Sequence, residues 1–167
     1  MNMRALQRIG WSVLSLLCVL VFVPSYATAE EPKNALKLTV IPAKTILSPA
    51  LIKKPISFSA SGFSPGELVV VELLLPKGMK MKGISESENR VGIALGNADE
   101  NGDLKTAMSP IATLNWFFQV GWTPLVTPDF KKARPLPAGT YKIMASGMVT
   151  DQVAMATLEF LPPPKKK

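Results

Sequence analysis

Histidine is absent from this 167-residue chain, and the single cysteine, Cys18, lies within an amino-terminal hydrophobic stretch. Without histidine there can be no Ser-His-Asp or Cys-His nucleophile. Nor is there a nitrogen and sulfur ligand set suited to zinc. A Gly-rich phosphate loop is missing too, because Gly62-Phe63-Ser64-Pro65-Gly66 reads as a turn. Paired carboxylates remain as an acid–base alternative. The available ones, Asp99, Glu100 and Asp103, fall in a polar turn open to water. These absences argue against an enzyme, and no cofactor or metal is expected.

Also lacking is any apolar run of the roughly 18 to 20 residues needed to span a bilayer. The longest uncharged apolar stretch, Trp11 to Val23, has 13 residues. Arg4 and Arg8 precede it, Pro24 breaks it, and Ala27-Thr28-Ala29 follows. This is the pattern of a secretory signal peptide over 1–29, with a small-residue cleavage site. Leu17 is too bulky before Cys18 for lipoprotein processing, and the stretch is short for a retained anchor. The expected mature chain, Glu30–Lys167, has 138 residues and no thiol. That length suits one domain with a self-sufficient core. The expected location is exported, periplasmic or extracellular.

The net charge of +7 falls to +5 on cleavage, since the leader carries two arginines and no acid. Lys165-Lys166-Lys167 supply three of those charges, behind a stiff Pro162-Pro163-Pro164. The folded body is then only mildly basic, a poor footprint for nucleic acid. The tail (162–167) reads as a solubilising end, or as one attracted to an anionic partner.

After a loose N-terminus (30–35), alternation of apolar and polar residues marks short strands. They are Leu36–Val40, Ile56–Ser61, Leu68–Leu75, Val91–Leu95, Leu104–Met108, Thr140–Met148 and Gln152–Leu161. The link from Pro42 to Pro55 is irregular, with a short edge segment around Ile46, and Lys77 to Arg90 is a polar loop or frayed hairpin. Ser64-Pro65-Gly66-Glu67 fits a type II turn, and Asp99-Glu100-Asn101-Gly102 fits a hairpin turn that needs positive φ. About seven such strands predict an all-β, antiparallel β-sandwich over 36–161. Tyr141, just after the Pro137-Ala138-Gly139 corner, occupies the place of a tyrosine corner.

Three segments together resemble the immunoglobulin-like domains of exported bacterial proteins. They are Ser-Ala-Ser-Gly-Phe-Ser-Pro-Gly-Glu (59–67), Ala-Asp-Glu-Asn-Gly-Asp-Leu (98–104) and Pro-Ala-Gly-Thr-Tyr-Lys-Ile-Met-Ala-Ser-Gly (137–147). The resemblance covers roughly 36–111 and 136–161. It implies the sandwich fold and, because such folds host many roles, no catalytic residue.

Residues 109–135 depart from that family by being longer and far more apolar. Ser109 is a good N-cap and Pro110 a good first helical residue, with Gly121 suited to the far end. At 100° per residue Ile111, Leu114 and Phe118 share a face. Only Asn115 and Gln119 form a polar strip, so this helix should be buried from more than one side. Both tryptophans left after processing, Trp116 and Trp122, lie here with Phe117, Phe118 and Phe130, followed by Lys131, Lys132 and Arg134. Three readings stay open: a lid on the core, a protein interface, and a membrane-surface wedge.

Asn97-x-Asp99-x-Asn101-Gly102-Asp103 partly resembles a calcium loop, but Met108 stands where a bidentate Glu belongs. Met144, Met148 and Met155 read as packing residues. The sequence therefore points to a non-enzymatic, exported immunoglobulin-like binding or assembly module of the cell envelope. Its expected contact residues are Trp116, Phe117, Phe118, Trp122, Phe130, Lys131, Lys132 and Arg134, and its expected partner is an envelope protein. A glycan-binding domain and a purely structural spacer are the alternatives, with membrane contact at most peripheral.

Overall fold

Alternating apolar residues build most of the fold. The computed structural model describes residues 35–85 and 87–164. The expected signal peptide and the terminal lysines lie outside the described residues. The elements run β1 (Lys37–Ile41), β2 (Lys44–Ile46), α1 (Ala50–Lys53), β3 (Ser57–Ser61), β4 (Leu68–Leu74), β5 (Arg90–Asn97) and β6 (Leu104–Ala107). After them come α2 (Pro110–Ala112), a π-helical turn (Thr113–Phe117), β7 (Gly121–Trp122), β8 (Pro128–Asp129), a 3-10 turn (Phe130–Lys132), β9 (Gly139–Gly147) and β10 (Val153–Leu161). The chain is mostly β with several sheets, one of them curled like half a barrel.

One sheet has the order β1-β3-β6 and a second the order β2-β10-β9-β4-β5. Neighbours are antiparallel except β2, which pairs with β10 in parallel. Lys44 Nζ and Glu159 Oε2 meet at 2.7 Å across that parallel pair. Both sheets turn their apolar faces into a common core that includes Val40, Phe58, Val71, Ile93, Leu104, Ile143 and Leu158.

The turns expected from sequence form as their chemistry requires. Glu67 N–H donates to Ser64 O at 3.1 Å, and Gly66 takes φ 74°. Asp99 Oδ1 accepts from the backbone N–H groups of Asn101 and Asp103 at 2.8 and 3.0 Å, while Gly102 takes φ 78°. Those two N–H groups draw the Asp99 carboxyl below its ordinary range. A Cβ on Gly102 would run into the carbonyl oxygen of Phe63, so close approach as well as φ selects glycine there. At the other end, Tyr141 Oη donates to Pro137 O at 2.8 Å, closing the corner anticipated from sequence.

Three expectations need correction. Leu95 does not continue the inward row of Val91 and Ile93. A bulge between Val71 and Glu72 in the β4–β5 register shifts the pairing. One extra residue exchanges the faces of all that follow, so Leu95 pairs with the outward Val70 and is 65% exposed. Second, the helix after Ser109 stops short of the expected end at Gly121 and changes character. Ser109 Oγ accepts from Ala112 N–H at 3.0 Å, as an N-cap should. The bond from Phe118 N–H to Thr113 O then spans five residues, and Gln119, at φ 46°, ends the segment ahead of Gly121. The wider turn breaks the 100° spacing, leaving Ile111 exposed while Leu114 and Phe118 are buried. Third, Met148 and Met155 are exposed on the second sheet and its hairpin, so they do not pack in the core.

Candidate functional site

The insertion between β6 and β9 folds by splitting its own aromatics. Phe117 is fully buried and meets Phe160 edge-on, with ring centroids 5.0 Å apart. Phe118, Leu114 and Val120 form a second small apolar cluster against Leu47, Ile52 and Ala133. The π turn thus faces two apolar surfaces, as its nearly all-apolar sequence demands. Phe117 and Phe118 hold the insertion on the body and offer no surface to a partner, while Trp116 is half-buried against the main core.

The carbonyls at the end of the turn are satisfied by the returning chain. Arg134 N–H donates to Phe118 O at 3.0 Å, and Leu136 N–H donates to Phe117 O at 2.8 Å. This places Lys131, Lys132 and Arg134 beside the helix end with their side chains in solvent. Asp129 caps the 3-10 turn through a 3.0 Å bond from Lys131 N–H, and its other oxygen lies 3.6 Å from Lys132 Nζ.

Between these elements β7 and β8 form a small hairpin, Gly121 opposite Asp129 and Trp122 opposite Pro128. Part of its backbone is satisfied from within: Thr123 N–H donates to Thr127 O at 3.0 Å and Val126 N–H to Thr123 O at 2.9 Å. The hydroxyls of Thr123 and Thr127 bond at 2.6 Å. The indole Nε1 of Trp122 donates to Asn115 Oδ1 at 2.9 Å, which fixes the ring. At the tip, Leu125 is 86% and Val126 76% exposed. Val126 also holds φ 57°, a left-handed conformation that is an outlier for a β-branched residue. Phe130, 47% exposed, stands edge-on to Phe118 with centroids 6.2 Å apart.

Beside the hairpin lies an open cleft of about 1000 Å³ between residues 79–82 and 131–137. Met79, Met81, Val120 and Leu136 line its apolar part, and Lys80, Lys82, Lys131, Lys132 and Arg134 its charged part, with no carboxylate among the lining residues. The structure thus gathers Trp122, Phe130, Lys131, Lys132 and Arg134 at one end of the molecule. It adds Leu125, Val126 and the lysines of the 79–82 loop, which sequence reasoning missed. The signal for the tip was present in Thr123-Pro124-Leu125-Val126-Thr127-Pro128, a run without charge between prolines. The lysines of the distant loop left no such signal.

The outward face of the second sheet carries another apolar surface, to which the bulge adds Leu95. Leu95 pairs with Val70, Val70 with Ser146 and Ser146 with Val153, while Met144 pairs with Met155 in the next row. Leu95, Val153 and Met155 are exposed.

No protein-family model matches the chain, and no curated protein matches it. Among solved structures, macromomycin is similar at 14% identity with a TM-score of 0.43, over 76% of this chain and 100% of its own. BslA, a bacterial hydrophobin, is similar at 17% identity with a TM-score of 0.31, over 78% of this chain and 95% of its own. No residue role is carried over from either. Among the described residues no helix is long and apolar enough to cross a membrane, and no group of three or more acidic, histidine or cysteine side chains is arranged to hold a metal.

Proposed function

We propose that this chain is an exported, non-enzymatic immunoglobulin-like module that attaches to another component of the cell envelope through its insertion end. The 1–29 signal pattern supports export. The strand orders β1-β3-β6 and β2-β10-β9-β4-β5, with β2 parallel to the last strand, support the immunoglobulin-like reading. The Tyr141 bond to Pro137 adds to it.

One observation carries the contact surface: the β7–β8 tip exposes Leu125 and Val126 almost fully, on a backbone strained at Val126. Neither side chain joins either apolar cluster of the fold. Strain of this kind persists only where the surrounding structure imposes it, and it concentrates at binding sites. The expected protein partner would meet this tip with Trp122 and Phe130, not with the buried Phe117 and Phe118. Stacking of an oligosaccharide on Trp122 is the second reading, favoured by the bond that fixes the indole to Asn115.

The test compares affinity capture from native envelope extract by the exported, processed protein and by its Leu125→Asp and Phe130→Ser variants, each checked for fold by circular dichroism. Components retained by wild type and released by folded variants support the contact surface. Equal capture by all three removes the tip as the contact surface, and no specific capture by wild type favours the spacer reading. Quenching or shifting of tryptophan emission by oligosaccharide would favour the second reading.

A further inference from the structure

Resting on that contact-surface reading, we propose that the insertion end docks on an anionic lipid surface, with the β7–β8 tip entering the headgroup region and the neighbouring cations pairing with lipid phosphates. Three observations carry this.

The first is the tip itself. Residues 122–128 carry no charge, and Leu125 and Val126 point away from the fold. The hairpin satisfies the N–H groups of Thr123, Val126 and Thr127 within itself, the last by a 3.2 Å bond to Thr123 Oγ1. Polar groups without partners make entry into an apolar medium costly. A hairpin that bonds to itself lowers that cost, which is of little value against a partner able to supply its own hydrogen bonds.

The second is charge. Lys131, Lys132 and Arg134 stand on one side of the cleft and Lys80 and Lys82 on the other. Among the described residues Lys82, Lys131 and Arg134 enter no ion pair. The whole chain is only moderately basic, so this concentration at one end complements an anionic plane better than it reflects overall composition. The apolar part of the cleft, with Met79 and Leu136, suits the boundary between headgroup and acyl chain.

The third is Trp122. Its indole is partly exposed at the base of the tip, the amphipathic ring favoured where an apolar layer meets water.

The experiment is co-sedimentation of the exported, processed protein with phosphatidylcholine vesicles, with and without about a third phosphatidylglycerol. Binding is expected only to the anionic vesicles, weakening with added salt as the Debye length contracts. At roughly five-fold per cation lost, Lys131→Glu/Arg134→Glu should bind at least about 25-fold more weakly. Leu125→Asp should bind about ten-fold more weakly through loss of apolar insertion. Val126→Gly, which keeps the turn, verifies that a tip variant stays folded. Absence of binding to anionic vesicles, or equal binding by wild type and both weakened variants, overturns the proposal. If vesicles fail but a protein is captured in a tip-dependent way, the lipid surface is wrong and the contact surface stands. If both fail, both readings fall.

Discussion

Glu67 and Thr150 lie 83 positions apart in sequence, yet the Glu67 carboxylate accepts the Thr150 N–H at 2.8 Å and the Thr150 hydroxyl at 2.9 and 3.1 Å. Val149 N–H donates to the same carboxylate at 2.9 Å and Ser64 N–H at 3.2 Å. Glu67 is buried, and Gly147 lies so close that a Cβ there would meet the carboxylate. One acid thus ties the turn before β4 to the turn between β9 and β10.

Burial is the largest single influence on the Glu67 carboxyl and pushes its pKa up, but the hydrogen bonds from Thr150, Val149 and Ser64 together outweigh it and draw it below the ordinary 4.5. A carboxyl whose folded pKa is depressed contributes stability above its unfolded pKa and loses it as pH falls through the folded value. Urea unfolding from pH 7 downward should therefore show stability declining below about pH 4.5. Glu67→Gln should flatten that decline. Glu67→Ala, which strands the Val149 and Thr150 N–H groups, should cost about 2–4 kcal/mol at pH 7. An unchanged acid decline in Glu67→Gln would place its source elsewhere.

Phe117 and Phe130 both belong to the insertion but take opposite roles. Phe117→Ala should cost about 3–5 kcal/mol by opening a cavity against Phe160. Phe130→Ala should cost about 1 kcal/mol, the worth of its edge contact with Phe118. Denaturant midpoints measured on both variants check the pair, and similar losses would contradict the division into anchor and surface.

At Val126 the left-handed backbone penalises a β-branched side chain by about 1–2 kcal/mol. Glycine relieves that strain and gives back part of the gain in unfolded-chain entropy. Val126→Gly should raise stability by up to about 1 kcal/mol, seen as a higher thermal midpoint, while weakening contact at the tip. A lower midpoint would show that the valine serves the fold.

Tyr141→Phe keeps the ring, which meets Phe160 at a centroid distance of 5.5 Å, and removes only the bond to Pro137 O. The expected loss is about 1 kcal/mol. Burial raises the pKa of the Tyr141 hydroxyl, so absorbance titration at high pH should show one late-ionising tyrosine in the wild type that is absent in the variant.

Alternation with period two made β1, β3, β4, β9 and β10 legible, because a strand half-buried on one face must repeat its apolar residues at that period. Turn chemistry was equally local: Pro65-Gly66 and Asp99 with Gly102 dictate their turns through φ and short-range hydrogen bonds. Leu95 was misread because a bulge belongs to the pairing of two strands and leaves no mark in either one alone. The π turn was misread because its extra residue answers to Phe117 and Phe118 being drawn toward two separate clusters, one built from Phe160 and the other from Leu47 and Ile52.

What the sequence by itself determined is local: a β-rich chain, the absence of histidine chemistry, and an insertion whose apolar residues had to be covered. Its residues could not say which aromatics would be spent on that cover, since burial depends on what the opposite sheet brings near. Tertiary structure alone decided that Phe117 and Phe118 anchor while Leu125, Val126 and Phe130 project. Only the fold brings Lys80 and Lys82 to the same cleft as Lys131 and Arg134, because charges separated by some fifty residues become neighbours through strand order and not through spacing.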